Sequence, residues 1–170
     1  SRNSWNRSFN KNDFILFFLL QRYRQQQDLR QVDMFQKLLI TDYMFVKDRL
    51  FASLNLGDKE MQLYDTVASL LERNIIRPDI VIYLQADTDV LMKNIEKRGR
   101  NMEKNITWEY IDALNQVYTE YFFRYQDTPL VIINTNNIDF VENENDLKEV
   151  IDYIRQPVSG TKFFNPVTEF

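Results

Sequence analysis

Two short stretches of this chain limit its fold more than anything else. Ile80-Val81-Ile82-Tyr83-Leu84 and Pro129-Leu130-Val131-Ile132-Ile133 are unbroken apolar runs rich in β-branched residues. A strand that is apolar at every position has no face to offer water, which is the pattern of a parallel strand covered on both sides. Each run is followed by a segment at helical spacing. Asp87 can cap a helix through Val90, Leu91 and Ile95 toward Lys97-Arg98-Gly99-Arg100. Asn145 to Ile154 reads as the helix after the second run, and Thr107 as the cap of an aromatic helix ending near Phe123. Strands alternating with helices predict an α/β fold, a three-layer parallel sheet with helices on both faces.

The earlier part of the chain is more helical. Residues 1–13 are polar and aperiodic and read as an irregular segment. Phe14 to Arg30 contains no helix breaker; it begins apolar and ends in Arg22, Arg24 and three glutamines. Lys37-Leu38-Leu39-Ile40-Thr41 reads as a further buried strand ending in Asp42. Phe45 to Leu54 and a stretch capped by Asp58 and running to Leu71 complete the helices, and Pro157 onward reads as a tail. One domain over 14–156 is expected, between the 1–13 segment and the 157–170 tail.

Composition removes whole classes of chemistry. There is no His and no Cys, so neither triad catalysis nor a nitrogen- or sulfur-ligated zinc site is available. A net charge of -4 argues against a duplex nucleic-acid partner. The longest apolar run, Phe14 to Leu20, is seven residues, against about 20 for a membrane span. The cysteine-free composition fits a cytoplasmic protein. The glycines are Gly57, Gly99 and Gly160. No two are five apart, so these residues contain no phosphate-cradling G-x-x-x-x-G-K-[ST] loop.

The polar features that could carry chemistry follow the ends of the expected strands, where ligands of such sheets bind. Lys97-Arg98-Gly99-Arg100 is the most informative. Two planar guanidiniums flanking a glycine can turn toward one anion and stay charged at any working pH. The same cations would also offset the dipole at a helix C-terminus. Asp42 could hold magnesium or orient a nucleophile, or could simply cap the next helix.

Five segments together resemble the deoxynucleoside kinase family, in particular its bacterial deoxyadenosine/deoxyguanosine kinases. They are FFLLQRYRQQQ (17–27), TDYMFVKDRLFA (41–52), RPDIVIYLQA (77–86), IEKRGRNMEKNI (95–106) and PLVIINTNNIDFVEN (129–143). The resemblance implies a P-loop nucleoside kinase-like fold and transfer of the ATP γ-phosphate to the 5′-hydroxyl of a purine deoxynucleoside, with Mg2+. It implies a homodimer paired through helices, with residues 14–20 or 61–71 as the candidate face.

Position by position, Arg98 and Arg100 match the lid arginines that engage phosphate. Asp42 matches the acidic residue that acts beside magnesium and the 5′-hydroxyl. Glu103 matches the lid glutamate that bonds the sugar 3′-hydroxyl. Arg22 and Asp48 match the acid–base pair of the base pocket, and Asn137, Ile138, Asp139 and Phe140 match the loop against the adenine of ATP.

The sequence also departs from the family. The N-terminal strand and P-loop, with their lysine, do not occur here. Tyr43 stands where relatives often have arginine, and Ile15 stands where the base-reading glutamine falls. Trp5 has no clear counterpart. A kinase domain impaired without its phosphate loop, a non-catalytic kinase-like subunit and an unrelated α/β binding module are the three readings left open.

Overall fold

A computed structural model describes residues 11–33 and 38–166. The chain separates into two compact units, one up to Arg77 and one from Pro78.

The first unit is helical: α1 (Lys11–Asp33), α2 (Val46–Asn55) and α3 (Asp58–Glu72). Its core is Ile15 and Leu19 of α1, Phe45 and Ala52, and Tyr64 and Ala68 of α3. These lie at helical spacing, so each helix gives one stripe to a shared interior. Arg49 of α2 grips Asp65 of α3 bidentately, at 2.7 and 3.1 Å. The expected cap Asp58 is instead the first helical residue. Gly57 precedes it, and its N–H donates to Glu60 Oε2 at 3.0 Å.

The strand expected at 37–41 does not form over its described part. Lys37 lies outside the described residues, and Leu38 to Thr41 have no ladder partner. Leu38 and Ile40 are 73 % and 82 % exposed. A strand exists only through pairing, and apolar β-branched sequence alone does not supply a partner. The segment ends instead in a local turn, where Thr41 Oγ1 donates to the Tyr43 carbonyl at 3.0 Å.

The second unit holds β1 (Val81–Gln85), α4 (Thr88–Arg98), a 3-10 turn (Asn101–Glu103), α5 (Trp108–Phe123), β2 (Leu130–Asn134), α6 (Glu144–Ile154) and β3 (Thr161–Phe164). The strands are parallel in the order β1-β2-β3. Tyr83 pairs with Ile132, and Leu84 with Ile133. Alternation sends Val131 and Ile133 to one face, where they meet Val150 of α6. Tyr83 points to the other and stacks on Phe122 of α5 at 4.3 Å. The central strand β2 is thus covered on both faces, as its unbroken apolar run requires, while Leu84 of β1 and Phe163 of β3 stay exposed. Leu130 to Ile133 are all buried, each worth about 1.5–3 kcal/mol relative to exposure.

Part of the expected tail is strand. Gly160 adopts φ 66°, a left-handed turn suited to glycine, and its carbonyl accepts from Leu130 N at 2.9 Å. Tyr153 of α6 then stacks on Phe164 at 4.4 Å and donates its hydroxyl to the Phe163 carbonyl at 3.0 Å. That docking converts a proline-led end into β3.

Candidate active site

Each unit gathers its own set of the residues singled out by sequence. In the second unit they lie around the carboxyl ends of β1 and β2. Thr135 caps the Gln85 carbonyl through both its N–H (2.8 Å) and its hydroxyl (2.9 Å). Asn136 Oδ1 accepts from Asp87 N at 2.7 Å. Side chains of the asparagine-rich run therefore tie the start of α4 to the loop leaving β2. Asp87 caps α4 by position but makes no side-chain cap bond.

From there α4 runs to its arginines. Gly99 ends the helix at φ 63°, and its N–H bonds back to the Ile95 carbonyl. This left-handed residue reverses the backbone so that Arg98, Arg100 and Glu103 converge. Arg98 clasps Glu103 through Nε at 3.1 Å and Nη2 at 2.6 Å. Arg100 Nη1 stands 4.0 Å from the same Glu103 oxygen. Both guanidiniums are exposed, whereas the Glu103 side chain is only 17 % exposed. The two arginines are thus turned toward one oxyanion.

Among the loop residues, Ile138 packs into the core beside Val131, Ile133 and Val150. Asp139 closes a turn, its Oδ1 accepting from Val141 N (3.2 Å) and Glu142 N (3.1 Å). Its own N–H donates to Asp146 Oδ2 at 2.7 Å. Asn137 is exposed and Phe140 half-buried. Lys97 Nζ reaches Glu142 Oε1 at 3.7 Å, linking the end of α4 to this loop.

An open polar cleft at the start of α4, about 330 Å³, includes none of the site residues read from sequence. Its groups serve each other. Thr88 donates to Asp112 (2.8 Å), Trp108 to Asp89 (2.7 Å) and Asn115 to the Ala86 carbonyl (3.0 Å).

The first unit brings Arg22, Tyr43 and Asp48 together. The Tyr43 hydroxyl donates to Asp48 Oδ2 at 2.6 Å. The Arg22 guanidinium carbon lies 4.5 Å above the Tyr43 ring, within cation–π range. Burial pushes the Asp48 carboxyl up from its ordinary value, while the Tyr43 bond, Arg22 and Lys47 hold it back. Burial and the bond to Asp48 push the Tyr43 phenol far up, so it remains a donor. Asp42 is exposed, and its carbonyl accepts from Lys47 Nζ at 3.5 Å. Ile15 is a buried core residue. Trp5 lies outside the described residues.

Tyr64 is a residue that sequence reading leaves in the core without further comment. It is 1 % exposed, and its hydroxyl has no hydrogen-bond partner among the described residues. Burial first, then the charge of Asp48, push its phenol up. Nothing in its helical spacing distinguishes it from Phe or Leu.

A sequence model of one family, described as deoxynucleoside kinase, matches residues 8–159. A deoxyguanosine kinase of Bacillus subtilis is 29 % identical over 148 residues, covering 83 % of this chain and 70 % of its own. A deoxyadenosine kinase of Lactobacillus acidophilus is 29 % identical over 153 residues, covering 81 % and 71 %. The fold matches a solved deoxyadenosine kinase from M. mycoides with bound dATP at a TM-score of 0.70 and 19 % identity, covering 92 % of this chain and 85 % of that one.

Proposed function

Given that this chain belongs to the deoxynucleoside kinase family, we propose that it takes part in moving the γ-phosphate of ATP to the 5′-hydroxyl of a purine deoxynucleoside. The observation that carries this reading is the convergence of Arg98 and Arg100 on one carboxylate oxygen. Guanidiniums arranged around an oxyanion stabilise the charge that spreads over a phosphoryl group in transfer. The names of the relatives, deoxyguanosine and deoxyadenosine kinases, support the purine.

In this reading Arg98 and Arg100 close on the polyphosphate. Glu103, once released, accepts from the sugar 3′-hydroxyl. Arg22 donates to a base acceptor and Asp48 accepts from a base donor. Asp42 acts beside the 5′-hydroxyl. The 137–140 loop meets adenine through Asn137, Asp139 and Phe140, with Ile138 as its anchor in the core.

Among the described residues no three acidic side chains form a cation cage. A single carboxylate such as Asp42 suits magnesium that arrives on a nucleotide and keeps most of its waters. Asp42 would hold that ion, whose contribution is to neutralise the polyphosphate. The activity belongs to cytoplasmic nucleoside salvage.

The exposed Phe17 and Phe18 of α1, or Leu63 and Leu70 of α3, support a homodimer through one of these helices. Apolar area of this kind on a surface marks an interface.

These residues hold no glycine pair for a phosphate loop, so full turnover needs a loop supplied from outside them. That feature and the buried Ile15 also favour a second reading, a kinase-like partner subunit that binds nucleotide without catalysis. The test joins the chain to the phosphate-loop segment of a relative. Turnover in the fusion, falling 10²–10³-fold on Arg98→Ala (the order of magnitude for one transition-state donor), supports the kinase. Nucleotide binding without turnover supports the partner subunit, and an unchanged rate in Arg98→Ala removes the lid role.

A further inference from the structure

We propose that Tyr43 is a positioning residue for base recognition. Its ring carries the Arg22 guanidinium, its hydroxyl aims the Asp48 carboxylate, and the pair presents one donor and one acceptor edge to the base. The inference rests on the nucleoside role given above to Arg22 and Asp48. It goes further by giving a task to the residue at which the chain leaves the family pattern.

The geometry is specific. Tyr43 precedes α2, and Asp48 lies in the first turn of that helix. The 2.6 Å bond occupies Oδ2, which leaves Oδ1 for a partner. Arg22 comes from α1, and its guanidinium is set at 4.5 Å over the ring while Nη1 donates to Gln25 at 2.9 Å. One tyrosine thereby fixes two charged side chains from two helices.

The bond also favours one hydrogen-bonding role for Asp48. A half-buried carboxyl tends to take a proton and become a donor. A hydroxyl donating to it favours the ionised, acceptor-only form. Arg22 of α1, Lys47 of α2 and Tyr64 of α3 are the other charged or titratable groups acting on this pair. Arg22 and Lys47 favour the same ionised form. An acceptor-only Asp48 beside a donor-only Arg22 suits a base with a ring-nitrogen acceptor next to an exocyclic amine, the edge of deoxyadenosine.

The experiment compares deoxyadenosine with 2′-deoxynebularine, which lacks that amine, by calorimetry on the full chain. In the wild type deoxyadenosine binds more tightly. Tyr43→Phe keeps the ring and loses the hydroxyl. It lowers deoxyadenosine affinity about tenfold, the order for a hydrogen bond to a charged group, and leaves deoxynebularine within twofold. Adding Tyr43→Phe to Asp48→Asn brings no further loss.

A structural role would weaken both ligands together, and that outcome overturns the proposal. If Asp48→Asn lowers deoxyadenosine affinity and Tyr43→Phe does not, the nucleoside pocket stands and the role of Tyr43 falls. If Asp48→Asn and Arg22→Ala leave both affinities unchanged, the pocket itself is misassigned and the proposal falls with it. A ligand-free measurement stands beside these. Tyr43→Phe shifts the Asp48 carboxylate ¹³C resonance, and Tyr43→Leu lowers the order parameter of Arg22 Nε–H. No change in either overturns the proposal.

Discussion

Replacing Glu103 with glutamine tests whether Arg98 and Arg100, the proposed phosphate clamp, are held in reserve by their own chain. In the structure Arg98 and Glu103 share two hydrogen bonds, at 2.6 and 3.1 Å, and Arg100 lies 4.0 Å from the same oxygen. The Arg98 side chain is 48 % exposed, so water discounts the pair. Exposed ion pairs are worth about 0.2–1 kcal/mol, and the two-bond geometry puts this one near the top of that range. In the proposed role an ATP phosphate displaces the carboxylate before it is gripped. Releasing about 1 kcal/mol corresponds to roughly fivefold in affinity. Glu103→Gln is therefore expected to bind ATP about fivefold more tightly at low salt. The gain shrinks as salt screens the wild-type pair.

In the proposed role the same change also weakens the acceptor for the sugar, because a neutral amide oxygen accepts less strongly than a carboxylate. Deoxyadenosine then binds more weakly, and its advantage over 2′,3′-dideoxyadenosine shrinks. Calorimetric titrations with ATP and with each nucleoside, at two ionic strengths, read all of this. ATP affinity that is unchanged or weaker in Glu103→Gln refutes the latch.

Three further outcomes are expected. Tyr64→Phe deletes a buried hydroxyl with no partner among the described residues and stabilises the chain in urea unfolding by about 1 kcal/mol, the low end of the cost of an unpaired buried group; a loss of stability would mean the hydroxyl is satisfied. Gly99→Ala forces a φ of 63° on a residue with a Cβ. The nearest atom is a comfortable 3.8 Å away, so the cost is conformational, about 1 kcal/mol, and ATP binding weakens as the arginines lose their convergence. Asp48 has a folded-state pKa above its ordinary 3.8, so the native chain holds this proton more tightly than the unfolded one. Its contribution to stability therefore falls as pH rises from about 3.8 through the raised value. Unfolding free energies of Asp48→Asn and wild type are expected to diverge in favour of the variant across that window, and a difference that is flat with pH contradicts the burial.

The parts of the fold legible in sequence were those whose signal is local. β1 and β2 are apolar at nearly every position because both faces are covered, and Thr107 caps α5, accepting from Tyr110 N at 3.3 Å. The 37–41 run and β3 depart from their local pattern for one reason. Leu38-Leu39-Ile40 has the composition of a strand and no partner among the described strands. Thr161–Phe164 has a tail's position and gains its partner from Gly160 and Tyr153.

The site was legible as residue types. Arg98, Gly99 and Arg100 stand out in any reading of the sequence. That Glu103 is the anion they hold depends on a left-handed glycine and a 3-10 turn, which spacing does not encode. Arg22, Tyr43 and Asp48 meet only through the packing of α1 beside α2, so sequence alone could not show the tyrosine joining them.

The central question is whether the converging guanidiniums are a polyphosphate clamp. A crystal structure of the chain with a non-hydrolysable ATP analogue and deoxyadenosine tests this most directly. It is expected to show Arg98 released from Glu103 and within about 3 Å of a phosphate oxygen, with Glu103 turned to the sugar. An intact Arg98–Glu103 pair with the nucleotide bound elsewhere would contradict it.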